Sequence, residues 1–307
     1  MNYGKTYLDQ VRRLNVNRQG ERRAPHKPLL LLIAIAKLLR GERELPFGEV
    51  EALLTPLLQA YAPPVQGRCQ PELPYWHLRT DELWSVPGAD SFSRQAGGFP
   101  QMAALRASAG HLDEGFAGAL LADPALVHAI VALLLEEHFP ESLHVDILAA
   151  IGLELPEPTG VADRPPITGS QRRRDPRFRQ AVLRAYEHRC AITGFRAALG
   201  GLYFGCEAAH VQWHAHRGPD SVSNGFAVEP TLHKLFDAGA WSLTDDRRVL
   251  VSAEFTGTDT TVERIRTLHG EPMRAPIAGE HEVSVEFIHW HRDRDQGGVF
   301  RHPALPL

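Results

Sequence analysis

The sequence predicts an α+β chain of two domains, the first helix-rich with a small β element, the second built around a strand, a turn, a strand and a helix. Three observations carry this. The 307 residues are enough for two cores of ordinary size. A proline- and glycine-rich stretch without apolar periodicity, LPEPTGVADRPPITGSQ at 155–171, reads as a linker. Apolar spacing is helical through most of the first half, whereas the second half holds a strand pattern turning at Asn224-Gly225. The expected boundaries are 1–153 for the first domain, 154–174 for the linker and 175–307 for the second domain.

In the first domain the spacing predicts helices over about 4–16, 25–41, 47–61, 112–122, 124–137 and 141–152. A strand pair is expected in YWHLRTDELWSV, turning at Thr80-Asp81. The longest apolar run, Pro28 to Ala36, lies between Lys27 and Lys37 and is too short to cross a bilayer, so it reads as a buried helix. After the linker, Asp175 is a good N-cap and Pro176 a good first-turn residue. Phe178, Val182, Leu183 and Tyr186 then form an apolar helical stripe. A strand from Leu202 to Val211 carries His210, FAVEP makes the second strand, and Thr231 is expected to cap a short helix ended by Gly239. That helix sets His233 and Asp237 four residues apart, on one face.

Composition narrows the function classes. The formal charge is -4 and the pI near 6.5, so overall charge does not mark a nucleic-acid binder. Charge is local instead: Arg12, Arg13, Arg18, Arg22, Arg23 and Lys27 stand against Glu21 alone, and QRRRDPRFR holds five arginines against Asp175. Two such runs, one in each half, suggest two contacts with a polyanion. No charged-then-apolar leader follows Met1, which predicts a cytoplasmic protein with no membrane partner. Cys69, Cys190 and Cys206 are widely spaced and form no CxxC pair, arguing against a disulfide framework and a four-cysteine zinc site.

The stretch CAITGFRAALGGLYFGCEAAHVQWHAHRGPDSVSNGFAVEPTLHKLFDAG places His, Asn and His at the three junctions of strand, turn, strand and helix. It resembles the HNH endonucleases, whose fold is the ββα-metal motif, over about residues 186–250. The resemblance implies phosphodiester hydrolysis, which needs a deprotonated water and a cation to stabilise charge on the phosphorane. His210 would be the general base, because an imidazole takes a proton at neutral pH. Asn224 would hold the loop and the base by side-chain hydrogen bonds, and His233 and Asp237 would bind one divalent ion, Mg2+ or Mn2+. Many such sites carry a ligand directly before the base, where this chain has Ala209; Glu207, two residues earlier on the same strand face, is the substitute. Cys190 and Cys206 alone cannot supply the paired CxxC ligands of zinc-bearing relatives, so no structural zinc is expected. His214 and His216 are expected at the surface or on phosphate, and Trp213 and Trp241 in the core.

In the first half, RRAPHKPLLLL, ELPYWHLRTDELWSV and DSFSRQAGGFP each have a plain structural reading. Pro25 and Pro28 open a helix, Trp76 and Trp84 fill the core face of a strand, and Gly97-Gly98 turns a loop. Together they resemble the sulfur-binding domain found ahead of HNH modules in McrA-like type IV restriction endonucleases, over about residues 7–151. The resemblance implies a double-stranded, phosphorothioate-modified DNA partner. Pro74 and Tyr75 would line the sulfur cavity with His77 beside them, and His26, Lys27 and Arg94 would surround the phosphate. Arg23, Arg79 and Gln95 would reach neighbouring phosphates or base edges; Arg172, Arg173 and Arg174 are DNA-binding candidates from their basic run alone. Lys27 stands where other members carry arginine, keeping the charge without the bidentate fork. Sulfur is larger and a poorer hydrogen-bond acceptor than oxygen, so an apolar dent ringed by cations favours it. Burying a hydrated oxygen there without a donor costs roughly 1 to 3 kcal/mol.

Two other functions fit the same text. A nuclease directed to methylated or hydroxymethylated DNA would need an aromatic cage, for which Tyr75, Trp76 and Trp84 are the residues. A DNA-binding regulator with a decayed nuclease fold is the other, although His210, Asn224 and His233 are all present. Cutting both strands with one site per chain makes a homodimer attractive. In the C-terminal tail, His289, His291 and Arg292 are candidates to touch DNA.

Overall fold

The computed structural model describes residues 3–16, 18–19, 22–61, 69–155, 176–258, 260–293 and 298–306. Nearly all of the linker, with Arg172, Arg173, Arg174 and Asp175, lies outside them. The chain divides into two compact units, Met1–Asn17 with Arg23–Gln171, and Arg18–Arg22 with Arg172–Leu307. Among the described residues no single helix is long and apolar enough to cross a membrane.

The first unit is a helical layer with a small antiparallel sheet. Helix α1 (Tyr3–Arg12) opens it; the short strands β1 (Arg18–Gln19) and β2 (Arg22–Arg23) follow in the chain, residues 18–22 counting with the second unit. Helix α2 (His26–Leu39) takes Pro28 in its first turn, where no intrahelical N–H is needed. Leu29 to Ala36 are each at most 2% exposed, the consequence of a helix apolar all round. Then come β3 (Leu45–Pro46), α3 (Phe47–Tyr61), α4 (Glu72–His77), β4 (Trp84–Ser85), α5 (Met102–Arg106) and β5 (Ala109–Leu112). Helices α6 (Glu114–Ala122), α7 (Pro124–His138) and α8 (His144–Ile151) close the unit. Asp113 caps α6 by accepting from the Phe116 amide, and Asp123 caps α7 by accepting from Ala125, just before Pro124. Helix α2 packs against α3, α4 and α7.

The expected strand pair in YWHLRTDELWSV is not formed. Glu72 to His77 is helical and runs into a 3-10 turn over Leu78–Asp81, and only Trp84-Ser85 is extended. Pro71 and Pro74 favour a helix start, and the partner of β4 is distant in sequence: Trp84 faces Leu112 and Ser85 faces His111, in a sheet ordered β3-β5-β4.

The second unit opens with α9 (Pro176–Ala185), whose Phe178, Val182 and Leu183 are buried together with Tyr186 beyond its end. A hairpin of β6 (Ala197–Leu199) and β7 (Leu202–Phe204) follows, and β8 (Glu207–His210) pairs antiparallel with β9 (Gly225–Val228), His210 facing Gly225. The strand expected over 202–211 is therefore two strands broken at Gly205-Cys206. Helix α10 (Pro230–Asp237) has Pro230 in its first turn and Glu229 as its N-cap. Thr231 is thus inside the helix, displaced from the cap by the proline's preference for the first turn. Gly239, at φ 75, ends this segment; a Cβ there would lie 2.0 Å from the Val299 carbonyl oxygen. Strands β10 (Trp241–Leu243) and β11 (Val249–Val251), with helices α11 (Thr260–Arg266) and α12 (Val285–Arg292), complete the unit. Trp213 and Trp241 are both buried.

Candidate nuclease site and DNA-recognition surface

Strand β8, the loop after it and α10 bring the second unit's polar side chains together in two groups. In the first, His210 sits at the end of β8 with Nε2 2.9 Å from Asp220 Oδ1. The Phe178 ring lies on the imidazole face, centroids 3.9 Å apart and planes inclined by 18°. Gly225 permits this approach, because a Cβ there would be 2.7 Å from the Phe178 ring and 3.0 Å from the Ala209 carbonyl oxygen. Asn224 is completely buried. Its Oδ1 accepts from the Gln212 amide at 2.8 Å, and its Nδ2 donates to the carbonyls of Gln212 and Pro219, both at 3.0 Å. One side chain thereby pins both ends of the loop that follows the histidine.

The second group centres on His233. Its Nδ1 is 2.8 Å from Glu207 Oε2 and its Nε2 is 3.3 Å from Asp237 Oδ2. Asp237 is buried and its Oδ1 accepts from the Trp213 indole at 3.0 Å. Glu207 is about half exposed, and the His233 hydrogen bond holds its carboxyl below the ordinary range despite partial burial. An imidazole with a carboxylate oxygen at each nitrogen needs positive charge between them, either a proton or a metal ion. Nδ1 hydrogen-bonds Glu207 and Nε2 faces Asp237, so each ring nitrogen has one carboxylate with which it could share a cation. The half-exposed Glu207 with Nδ1 is the pair open to a small divalent ion, whereas Asp237, buried and already accepting from Trp213, would hold the histidine from behind and not be the ligand expected beside His233. Among the described residues no group of three or more His, Cys, Asp or Glu side chains forms a metal cage, so phosphate and water oxygens would complete the shell. Burial pushes the Cys206 thiol up to about 11.

The remaining second-unit candidates separate from these groups. His216 is buried, against the expected surface position, because it packs between Trp213 and Trp290. His214 is half-buried, 6.0 Å from the His210 ring. His291 is core as well and does not reach a DNA surface: its ring stacks on Phe236 at 3.7 Å, Nδ1 contacts Ser242 Oγ, and burial lowers its pKa to about 3. His289 and Arg292 both contact Asp245 at the surface.

In the first unit the candidates gather round Trp76. The Arg79 guanidinium lies 3.9 Å above its ring and that of Arg94 at 5.8 Å. Phe92 stacks on the same indole and Phe99 meets it edge-on. His77 is exposed, packs against Phe99, and has its pKa lowered by burial and then by the charges of Lys27 and Arg79. Arg94 bridges to Pro100, and Gln95 closes the loop between them, its amide donating to the Phe99 carbonyl and its Nε2 to that of Pro100. Pro74 is buried beside this cluster in α4. Tyr75 is fully buried: its ring meets Phe47 and Trp84 edge-on and its hydroxyl contacts Ser108 Oγ at 3.1 Å. It is a core residue, where the sequence led to the expectation of a cavity wall. Lys27 is also buried, with Nζ on Asp81, which additionally accepts from the Asn15 amide. His26, half-buried, opens α2. The Arg23 backbone lies in β2, its side chain outside the described atoms.

Residues 4–156 match the ScoMcrA-like DNA sulfur-binding domain family, and residues 190–244 match an HNH endonuclease family. The chain thus carries a ScoMcrA-like DNA sulfur-binding domain followed by an HNH endonuclease domain. Among solved structures, the sulfur-binding domain of ScoMcrA complexed with phosphorothioated DNA is 27% identical with a TM-score of 0.40, covering 48% of this chain and 95% of that one. The sulfur-binding domain of SprMcrA complexed with phosphorothioated DNA is 25% identical with a TM-score of 0.39, covering 49% and 94%. The type IV phosphorothioation-dependent restriction endonuclease ScoMcrA is 25% identical with a TM-score of 0.39, covering 48% of this nuclease and 32% of that chain. No curated protein matches it.

Sequence reasoning missed three residues of the nuclease's sites. Asp220 is the one acid between His210 and Asn224, which was the available signal. In the sequence Asp81 reads only as a turn residue and Phe178 only as part of a helical stripe.

Proposed function

We propose that this nuclease is a modification-dependent, type IV restriction endonuclease that binds phosphorothioate-modified DNA through its first unit. Phosphodiester bonds are then hydrolysed by a single-metal site in the second. The observation that carries the proposal is the presence, in one chain, of a sulfur-binding domain match and an HNH match in which His210, Asn224 and His233 are all held by named partners.

In the cleavage step His210 accepts a proton from the attacking water, and Asn224 fixes the loop that carries the imidazole's partner. Glu207 and His233 would hold a divalent ion, Mg2+ or Mn2+, with Asp237 orienting His233; when bound, the ion supplies stabilisation of charge on the phosphorane and the leaving oxygen. At the recognition surface, Pro74 and His77 form the wall against sulfur while Arg79 and Arg94 neutralise phosphate, with His26 and Gln95 at the rim. Stacking on Trp76 restrains the two arginines without cancelling their charge.

The test is cleavage of matched plasmids, one carrying phosphorothioate linkages, one unmodified and one methylated, with Mg2+ or Mn2+ and with chelator. Metal-dependent cutting of the sulfur-bearing plasmid alone is the expected result. Equal cutting of all three would leave the nuclease and remove the sulfur specificity.

A further inference from the structure

The loop between β8 and β9 builds a second layer behind the histidine that the proposed mechanism uses as its base. Asp220 Oδ1 stands 2.9 Å from His210 Nε2, with the two side chains only 17% and 13% exposed. Asn224 Nδ2 donates to the carbonyl of Pro219, the residue immediately before Asp220, so the buried asparagine sets the position of the carboxylate. Phe178 lies nearly parallel to the imidazole at 3.9 Å and opposes its rotation out of that plane. A neutral imidazole has one N–H donor and one lone-pair acceptor, and a carboxylate only accepts. A hydrogen bond to Asp220 therefore puts the proton on Nε2 and the lone pair on Nδ1.

We propose that Asp220 is a positioning residue for hydrolysis, fixing His210 in the Nε2–H form so that Nδ1 is the atom that takes the water proton. The inference rests on His210 being the base. In the step itself a water O–H bond breaks, an Nδ1–H bond forms, the resulting hydroxide attacks phosphorus and the bond from phosphorus to the leaving oxygen breaks. The imidazolium so formed carries its positive charge against the Asp220 carboxylate, which keeps its own charge throughout. Phe178 holds the ring in the orientation that Asp220 selects. The same Asn224 that ties both ends of the loop thus acts on the base through Pro219 and Asp220.

The test uses the full chain with 15N-labelled histidine, in Mg2+, as wild type and as Asp220→Asn, Asp220→Glu and His210→Ala. Ring nitrogen shifts of His210, assigned by their loss in His210→Ala, should report the Nε2–H form in the wild type. In Asp220→Asn, whose amide can donate as well as accept, that form should be mixed or lost. Cleavage of sulfur-bearing DNA should fall roughly 10- to 100-fold in Asp220→Asn. Binding of the same DNA should stay within about twofold of wild type, and Asp220→Glu should recover part of the rate. An Nδ1–H form in the wild type would overturn the proposal even if the variants failed to fold. So would an Asp220→Asn rate within about twofold of wild type, or a loss restored by excess Mg2+, which would make Asp220 a metal ligand. If His210→Ala itself cut normally, the base assignment would fall and this role with it. A dead His210→Ala beside an active Asp220→Asn would remove the positioning role alone.

Discussion

In the nuclease unit His210, Asn224 and His233 are each tied to a partner: imidazole to carboxylate, buried amide to two backbone positions, imidazole between Glu207 and Asp237. At the proposed recognition surface Arg79 and Arg94 are instead laid on the face of Trp76, and His77 stands exposed against Phe99. The functions proposed for the two sites account for the difference. Proton transfer needs one tautomer at one angle, which requires directional hydrogen bonds from side chains shielded from water. Phosphate recognition needs charge that is still available, and a guanidinium stacked on an indole is restrained while its N–H donors stay usable. Lys27 marks the boundary between the two strategies, because its ammonium is buried on Asp81 and serves the fold of the recognition unit.

That contrast breaks most readily at Lys27. Asp81→Asn should destabilise the first unit by about 3 to 5 kcal/mol, since it leaves a buried charge without its partner. Urea unfolding measures this, and a loss below about 1 kcal/mol would show that Lys27 is satisfied by solvent, as a phosphate ligand would be. Next in size, Asn224→Ala should cost the second unit roughly 2 to 4 kcal/mol by removing the partner of the part-buried Gln212 amide and of the Gln212 and Pro219 carbonyls. It should abolish cutting while sulfur-DNA binding at low temperature persists; unchanged cleavage would break the link between a rigid loop and chemistry.

Acid sensitivity should belong to the nuclease unit through His291. Its folded pKa of about 3 lies below the ordinary value of 6.5, so between those values only the unfolded chain takes the proton. Stability is therefore full above about pH 6.5 and falls as pH drops, by about 1.4 kcal/mol per unit, a slope that His291→Phe should flatten. Unfolding curves at pH 7, 6 and 5 read the slope directly. The smallest expected effect is on the recognition side. Arg79→Ala should weaken sulfur-DNA binding by about 1 to 2 kcal/mol and lower the salt dependence by roughly one phosphate contact, with the cutting rate at saturating DNA unchanged. A fall in the saturated rate of equal size would show that the two functions are not separable.

Much of this was legible in the sequence, and the exceptions have a common cause. The helices over 47–61 and 124–138, the buried run after Pro28 and the His, Asn, His junctions all depend on short-range spacing, which the sequence displays directly. The expected hairpin at 75–86 failed because alternating apolar residues there belong to a proline-started helix, and the true partner of Trp84 is Leu112. Tyr75 was expected to line a cavity and proves to be core for the same reason, since helical phase turns it toward Phe47. Asp220, Asp81 and Phe178 act on residues 10, 54 and 32 positions away, across a loop or between elements, a separation that periodicity does not display; for Asp220 alone the sequence offers a signal, as the one acid between His210 and Asn224.

The division of labour between the two units is tested most directly by comparing binding and cutting in His210→Ala on one sulfur-bearing duplex, with wild type alongside. Cleavage should fall by about 10²- to 10⁴-fold, the usual contribution of a general base, while affinity for that duplex stays within about twofold. A variant that loses affinity in proportion to cleavage would contradict the account, because His210 would then be part of the surface that holds the DNA.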